Sequence, residues 1–248
     1  MEEISYAVIS DIHGNSLALE AVLEDIEKKT VKNIFNLGDT FYGPLDPSGT
    51  AGLILQYKMV SILGNQDRIL LQNSNKPSNN PTLNYTISSL DSKTFDWLAL
   101  LTDTKNIDNK FFLCHGTIEK DDAYLLEKVT ANGVVLKSAD ELIEEIKSVE
   151  SDIIFCGHSH SRRVMQLPNG KLIVNPGSVG LPAYTDDLPY FHCMESGSPH
   201  ASYCLIKLNE RGCKIEQIII PYNFEKAVEQ ALKNKRPDWA QWLRTGRG

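Results

Sequence analysis

The fold is decided by one stretch near the start of the chain, Ile4-Ser5-Tyr6-Ala7-Val8-Ile9-Ser10-Asp11-Ile12-His13-Gly14-Asn15. Its apolar run predicts a buried β-strand that ends in a carboxylate and an imidazole. Side chains two residues apart on extended backbone point the same way, so Asp11 and His13 can bind one ion. Apolar residues at helical spacing from Asn15 to Lys29 then predict a helix, which completes a β-α unit.

The same pattern of an apolar run with a polar end recurs along the chain, at Gly38-Asp39, Gly64-Asn65, Cys114-His115-Gly116 and Gly157-His158-Ser159-His160. Taken singly, each string has an ordinary structural explanation, such as a surface turn, a left-handed turn at Asn65 or a hydrogen-bonded core histidine at His115. Together with the first string, which carries His13, these strings nevertheless contain four of the six histidines. If each string had only its ordinary structural explanation, several independent explanations would have to coincide. The mixed nitrogen and oxygen donors favour two divalent transition-metal ions over a thiolate zinc site. The predicted ligands are Asp11, His13, Asp39, Asn65, His115, His158 and His160.

Composition limits the class of protein. A chain of 248 residues, 42% of them apolar, suffices for one α/β domain, predicted to span residues 1–248. No apolar run approaches the roughly 18 residues that a membrane span requires, and no secretory signal is visible, so we expect a cytoplasmic protein without a membrane partner. Five cysteines at irregular spacings indicate free thiols. A net charge of −7 argues against duplex nucleic acid as a partner.

The two halves of the chain differ in predicted topology. Strand-like runs at 33–37 and 59–63, with a crossover helix between them, predict parallel strands. Hairpin signals at Asn169-Gly170 and around Gly212 predict a second, largely antiparallel sheet. The polar segment 72–86 is predicted to be a loop before a helix around 92–101, and a polar, helix-prone insert at about 117–149 is placed to wall or lid a site. Apolar residues in the tail at 223–243, interrupted by Pro237, predict one or two closing helices.

In this order, the strings D-x-H, G-D, G-N-x-D, H-G and G-H-x-H resemble the motifs of the calcineurin-like metallophosphoesterase superfamily. D-I-H-G-N-S-L-A-L-E-A-V-L from Asp11, N-P-G-S-V-G at 175–180 and A-S-Y-C-L-I at 201–206 are similar to its small bacterial and archaeal phosphodiesterase branch. The resemblance spans nearly the whole chain. It implies an α/β fold of four layers, an αββα sandwich in which two mixed β-sheets are flanked by helices.

The resemblance also implies roles for individual residues. One ion would be ligated by Asp11, His13 and His160, and the other by Asn65, His115 and His158, with Asp39 bridging both. The catalytic group would comprise Asp39, Asn65, Gln66 and Asp67. Manganese is the expected metal, with iron, nickel, cobalt or zinc as alternatives, because such donors discriminate poorly among these ions.

Two features depart from the family's pattern. The usual G-N-H-D reads Gly64-Asn65-Gln66-Asp67, so an amide replaces the imidazole credited with protonating the leaving group, and an amide cannot do acid–base work. The chain also carries a loop insert at about 184–199, where relatives run almost directly into the last strands. His192 in this insert and His200 beside it are either exposed loop residues or reach the metals as a substitute acid or as substrate contacts.

The expected activity is hydrolysis of a small phosphate ester, either a diester or a monoester, by two-metal activation of a bridging water. Gly38-Asp39 continues without the D-R-G string of serine/threonine protein phosphatases, which argues against that activity. Two alternatives stay open: a dinucleoside polyphosphate hydrolase, and a protein-interaction scaffold that kept the fold and lost turnover. Self-association also stays open.

Overall fold

Strands and helices alternate over the first 73 residues of the computed structural model, which describes residues 3–210 and 212–248. The strands are β1 Ile4–Ile9, β2 Asn33–Asn36, β3 Val60–Ser61, β4 Thr104–Ile107, β5 Phe111–Cys114, β6 Glu127–Thr130, β7 Gly133–Leu136, β8 Ile153–Phe155, β9 Arg163–Gln166, β10 Leu172–Asn175, β11 Ala183–Asp186, β12 His192–Glu195, β13 Ala201–Asn209 and β14 Gly212–Ile220. The helices are α1 Ser16–Lys28, α2 Pro47–Ile54, α3 Asn65–Asn73, α4 Pro81–Ser89, α5 Ser92–Ala99, α6 Ala139–Glu145, α7 Phe224–Lys233 and α8 Pro237–Thr245.

Two five-stranded sheets form the centre of the molecule, in the orders β14-β13-β1-β2-β3 and β4-β5-β8-β10-β9. In the first sheet β1, β2 and β3 run parallel, as predicted, and β13 is antiparallel to β1. In the second sheet β5, β8 and β10 run parallel, with antiparallel strands at both edges. Both sheets are therefore mixed.

Alternating side chains divide the molecule into layers. In β1, Ile9 packs with the apolar face of α1, whereas Val8 points into the core between the sheets. In that core the rings of Phe35, Phe111 and Phe155 meet, with centroids 5.5 to 6.1 Å apart. On the far side, Ile154 of β8 shares an outer core with α6. The predicted αββα sandwich is confirmed.

The two predicted hairpins do not share a sheet. The pair β9–β10 joins the second sheet, whereas β13–β14 forms one edge of the first. The prediction of a second sheet built largely from these hairpins is wrong, because a turn signal specifies local pairing but not the sheet edge that receives it.

The inserts also differ from their predictions. Segment 117–149 is not a helical lid, because it contains the hairpin β6–β7 and only the seven-residue helix α6. Asn132-Gly133 between β-branched residues is the hairpin signal that was overlooked. Segment 184–199 is likewise mostly the hairpin β11–β12 rather than a loop.

Segment 72–86 is more helical than its polar composition indicates. It contains the end of α3 and the start of α4, so the loop prediction is wrong there. The side chain of Asn80 accepts a hydrogen bond from the Leu83 amide, and Pro81 occupies the first turn, an N-cap and proline pair that starts helices.

The chain closes with α7 and α8, which confirms the prediction of one or two terminal helices around Pro237. These helices pack against Leu45, Leu181 and Ala183 and so stand beside the ends of the central strands. All five cysteines are free thiols, as predicted. Within residues 3–210 and 212–248, no helix combines the length and the apolar character that a membrane span needs.

Candidate metal centre

All seven predicted metal ligands lie at one end of the sandwich, where parallel strands of both sheets end. Asp11 and His13 follow β1, Asp39 follows β2, Asn65 begins α3, His115 follows β5, and His158 and His160 follow β8. His158 is half-buried, and the other six side chains are buried. The sequence prediction thus brings together side chains that are up to about 150 residues apart.

The side chains form two groups. Asp11, His13 and His160 make the first and Asp39, His115 and His158 the second, and within each group the donor atoms lie within 4.8 Å of one another. In the first group, His160 Nε2 lies 3.3 Å from Asp11 Oδ1. In the second, His115 Nε2 lies 3.4 Å from Asp39 Oδ2 and 3.1 Å from Asn65 Oδ1. Asp39 Oδ2 is also 3.8 Å from His13 Nε2, so Asp39 stands between the two groups.

Three of the four histidines are held by a backbone carbonyl. The Nδ1 atoms of His13, His115 and His160 lie 3.0, 2.8 and 2.6 Å from the carbonyl oxygens of Tyr42, Leu37 and Leu181. Because a carbonyl only accepts, each Nδ1 carries the proton and donates it. Nε2 is then the atom turned toward the carboxylates, the arrangement that metal-binding histidines adopt.

The electrostatics favour positive charge between these groups. Burial lowers the pKa of His115, but Asp39, Asp11 and the Leu37 carbonyl together outweigh burial and raise that pKa to about 10. Burial likewise opposes ionisation of Asp11, yet the neighbouring histidines, His160 first, hold the pKa of Asp11 below its usual range. Burial lowers the pKa of His13 and of His158 to about 4, so both rings are neutral near pH 7. A cation beside Asp11 and Asp39 is therefore stabilised, whether it is a proton or a metal ion.

Unpartnered atoms show that the residues fit a metal ion. Asp11 Oδ1 is buried and has no hydrogen-bond partner in the described part of the chain. The Nε2 atoms of His13 and His160 face each other 3.2 Å apart, and each ring already donates from Nδ1. If both rings are neutral, two lone pairs meet there with no proton between them. A divalent cation bound by these three atoms would satisfy all of them.

The backbone around the site is strained. Asp11, His13, Asp39, His158 and His160 all have left-handed φ values, between 52° and 63°. Non-glycine residues avoid this region, and such strain clusters at functional sites. Gly64 allows the backbone before α3 to lie against Asp39, because a Cβ atom on residue 64 would lie only 2.1 Å from Asp39 Oδ1.

The other predicted catalytic residues have distinct positions. The backbone N–H of Gln66 donates to Asp39 Oδ1 at 2.8 Å, and its side chain lines the cleft. Asp67 is fully buried, and its carboxylate accepts from the amides of Thr40 and Gly64 at 3.0 and 3.3 Å. Burial, reinforced by Asp39, raises the pKa of Asp67 to about 7. Asp67 thus ties the loop after β2 to the start of α3 and does not line the cleft.

Two open sequence interpretations are corrected. Asn65 is the first residue of α3, so the left-handed turn is wrong. His192 is neither an exposed loop residue nor a contact of the predicted ligands, because it is buried and its Nε2 lies 2.8 Å from the Tyr124 hydroxyl. His200 is half-buried, with its ring 5.7 Å from that of Phe224.

An aromatic cleft of about 240 Å³ opens over the two groups. Its further lining comes from residues that the motifs did not indicate, namely Tyr42, Tyr184, Arg236, Trp239 and Trp242. Trp239 contacts the His13 ring edge-on, at 5.8 Å between centroids. No sequence motif includes Trp239 or Trp242, and their approach to the site depends on where α8 docks.

A second cleft adjoins the first. It shares Asn65, His158 and Asp186 with the aromatic cleft, and Tyr124, Glu127, Lys137 and Leu188 are among its other walls. The predicted metal ligand His158 therefore lies where two clefts meet.

Comparisons with known proteins show the family and the fold. Residues 4–199 match the family described as the calcineurin-like phosphoesterase superfamily domain. An uncharacterized protein of Methanocaldococcus jannaschii is 30% identical, with 94% of each chain covered. A metallophosphoesterase from Sphaerobacter thermophilus has a similar structure, with a TM-score of 0.75 and 21% identity over 98% of this chain and 99% of that one. A hypothetical protein from Pyrococcus horikoshii gives a TM-score of 0.73 and 18% identity over 98% of each chain.

The chain belongs to the calcineurin-like phosphoesterase superfamily. Family membership and the two donor groups support a hydrolase that acts on phosphoesters with divalent metal ions. The two structural neighbours extend the agreement in fold over nearly the whole chain.

Proposed function

We propose that the protein hydrolyses phosphodiesters with the help of two divalent metal ions, of which manganese is the first candidate. The observation that carries the proposal is the pair of donor groups with Asp39 between them. Asp11, His13 and His160 would hold one ion, and Asn65, His115 and His158 the other. Two such ions lower the pKa of water toward neutrality and neutralise the oxygens of a phosphate.

The chain's own residues position the reaction. The ionised Asp39 offsets the repulsion between two dications, a role that a neutral amide cannot take. The amide of Gln66 fixes one oxygen of Asp39 and leaves the other turned toward His115. No imidazole at position 66 can protonate the leaving group, so the enzyme should depend on leaving groups that are stable as anions.

Preference for diesters is supported by the two adjoining clefts. A phosphate held at the metal groups has one cleft on the aromatic side and another on the side of Tyr124 and Leu188. A diester can place one substituent in each cleft, whereas a monoester leaves one cleft empty.

The test is a screen of phosphate esters with metal-stripped and Mn²⁺-reconstituted protein. We expect turnover only with the metal, and a higher kcat/KM for bis(p-nitrophenyl) phosphate than for p-nitrophenyl phosphate. Cyclic nucleotides and dinucleoside polyphosphates belong in the same screen. Preference for the polyphosphates would favour that class, and metal binding without any turnover would favour an interaction scaffold.

A further inference from the structure

His158 is the exception among the four predicted histidine ligands. Its ring makes no hydrogen bond within residues 3–210 and 212–248, whereas the other three rings are each held by a carbonyl. Instead the ring lies between two aromatic neighbours, 4.9 Å from Tyr124 and 5.2 Å from His115 by centroid distance. The Tyr124 and His158 planes are inclined by 32°, a tilted stack. Something other than a carbonyl must therefore set the orientation of this ring.

A chain of hydrogen bonds runs from His158 into the hairpin β11–β12. The Tyr184 hydroxyl donates to the His158 carbonyl at 2.9 Å and lies 2.7 Å from the Tyr124 hydroxyl. The Tyr124 hydroxyl lies 2.8 Å from His192 Nε2, and His192 Nδ1 lies 2.8 Å from the Tyr190 carbonyl oxygen. Both ends of this chain are carbonyl oxygens, which can only accept.

The Tyr124 hydroxyl is the shared member of these contacts, because it lies within hydrogen-bond distance of both the Tyr184 hydroxyl and His192 Nε2. His192 is buried, and the Tyr190 carbonyl lies beside its Nδ1. The network therefore holds both tyrosines in place beside His158.

We infer that Tyr124, Tyr184 and His192 are positioning residues that orient His158 for metal binding. The inference rests on the proposed function, because it takes His158 to be a metal ligand. Tyr124 belongs to the insert 117–149, and Tyr184 and His192 belong to the insert 184–199. Both inserts therefore support the metal group of Asp39, His115 and His158, in addition to walling the cleft.

The first experiment reads the network without any metal. In ¹⁵N NMR of the metal-free protein, Tyr124→Phe should shift the ring-nitrogen resonances of His192, because it removes the hydroxyl that lies 2.8 Å from Nε2 but keeps the aromatic ring. Unchanged His192 resonances would overturn the inferred network.

The second experiment measures Mn²⁺ binding by calorimetry. Tyr124→Leu removes the stack on His158, so we expect the weaker of two Mn²⁺ equivalents to lose about 10-fold to 100-fold in affinity, as for other groups that support metal ligands. Tyr124→Phe keeps the stack and should lose less. Tyr85→Phe is the matched control, because the Tyr85 hydroxyl also donates to a carbonyl, that of Leu45.

The outcomes separate the two proposals. If the wild type binds two equivalents and Tyr124→Leu binds both equally well, the positioning role is wrong and the proposed function stands. If the wild type binds no Mn²⁺, both fall. Should Tyr124→Leu fail to fold, Tyr184→Phe gives the same decision, because it removes the hydroxyl that holds the His158 carbonyl. It should weaken one equivalent, and unchanged affinity would overturn the role.

Discussion

Gln66 is the residue at which the chain departs most clearly from its family's chemistry. Its side chain lines the cleft beside Asp39, so a histidine there would face the substrate. We predict that Gln66→His raises kcat/KM for an alkyl phosphodiester and leaves that for a nitrophenyl diester nearly unchanged. General acid assistance is worth about 10²–10⁴-fold for poor leaving groups.

The gain should fall at the lower end of that range, because the Asp67 carboxylate is held by backbone amides and does not turn toward position 66. Gln66→Asn is the matched control, since it keeps an amide and should gain nothing. If the wild type already hydrolyses both esters equally well, another general acid is present. The interpretation that Gln66 leaves the enzyme without a general acid is then wrong.

At the residue scale, the convergence of the seven predicted ligands at one end of the sandwich could be anticipated because each follows a short apolar run in a specific string. Tyr124 and Trp239 could not, because neither lies in a motif and both reach the site through elements that dock from elsewhere. The same holds for His192, whose burial follows from the pairing of β11 with β12.

At the element scale, a substitution in the hairpin β11–β12 tests whether the insert 184–199 contacts the substrate. Leu188 at its tip is 77% exposed and forms part of the cleft that contains Asn65 and His158. We predict that Leu188→Ala raises KM for bulky diesters while kcat and metal content stay unchanged, because it removes an apolar wall but no ligand. Steady-state kinetics with a small and a bulky diester measure this.

Leu100→Ala is the control, since Leu100 is 82% exposed and lines neither cleft. Unchanged KM values in Leu188→Ala would mean that the hairpin tip does not contact the substrate.

Elements were predictable where periodicity and local signals agree. The strand β1 and the helix α1 follow directly from apolar spacing. The hairpin β6–β7 was missed because its strands are short and half-exposed, so the polar composition masked the turn. The helix α3 was missed because only three of its residues, Asn65, Asp67 and Leu70, are buried, and two of those are polar.

At the scale of the whole molecule, the core between the sheets holds the two halves of the metal centre in register. Phe155 lies two residues before the string Gly157-His158-Ser159-His160, and its ring packs on Phe35 and Phe111. We predict that Phe155→Ala lowers the free energy of unfolding by about 3–5 kcal/mol. Denaturant unfolding measures this loss.

Val164→Ala is the control, because Val164 is 47% exposed on an edge strand and should change stability by under about 0.5 kcal/mol. If Phe155→Ala were as stable as this control, the inter-sheet core would not have the role assigned to it. Mn²⁺ in excess should raise the Tm of both variants, since a ligand that binds only the folded state stabilises it.

The central claim is a dinuclear centre whose two halves share Asp39. The most direct measurement is an equilibrium titration of metal-stripped protein with Mn²⁺, read as stoichiometry and as hydrolysis of bis(p-nitrophenyl) phosphate, for the wild type, Asp39→Asn and the exposed control Asp96→Asn. We predict two equivalents and activity for the wild type and the control, and fewer equivalents with no activity but an unchanged circular dichroism spectrum for Asp39→Asn. Full activity of Asp39→Asn, or metal-independent activity of the wild type, would contradict the dinuclear assignment.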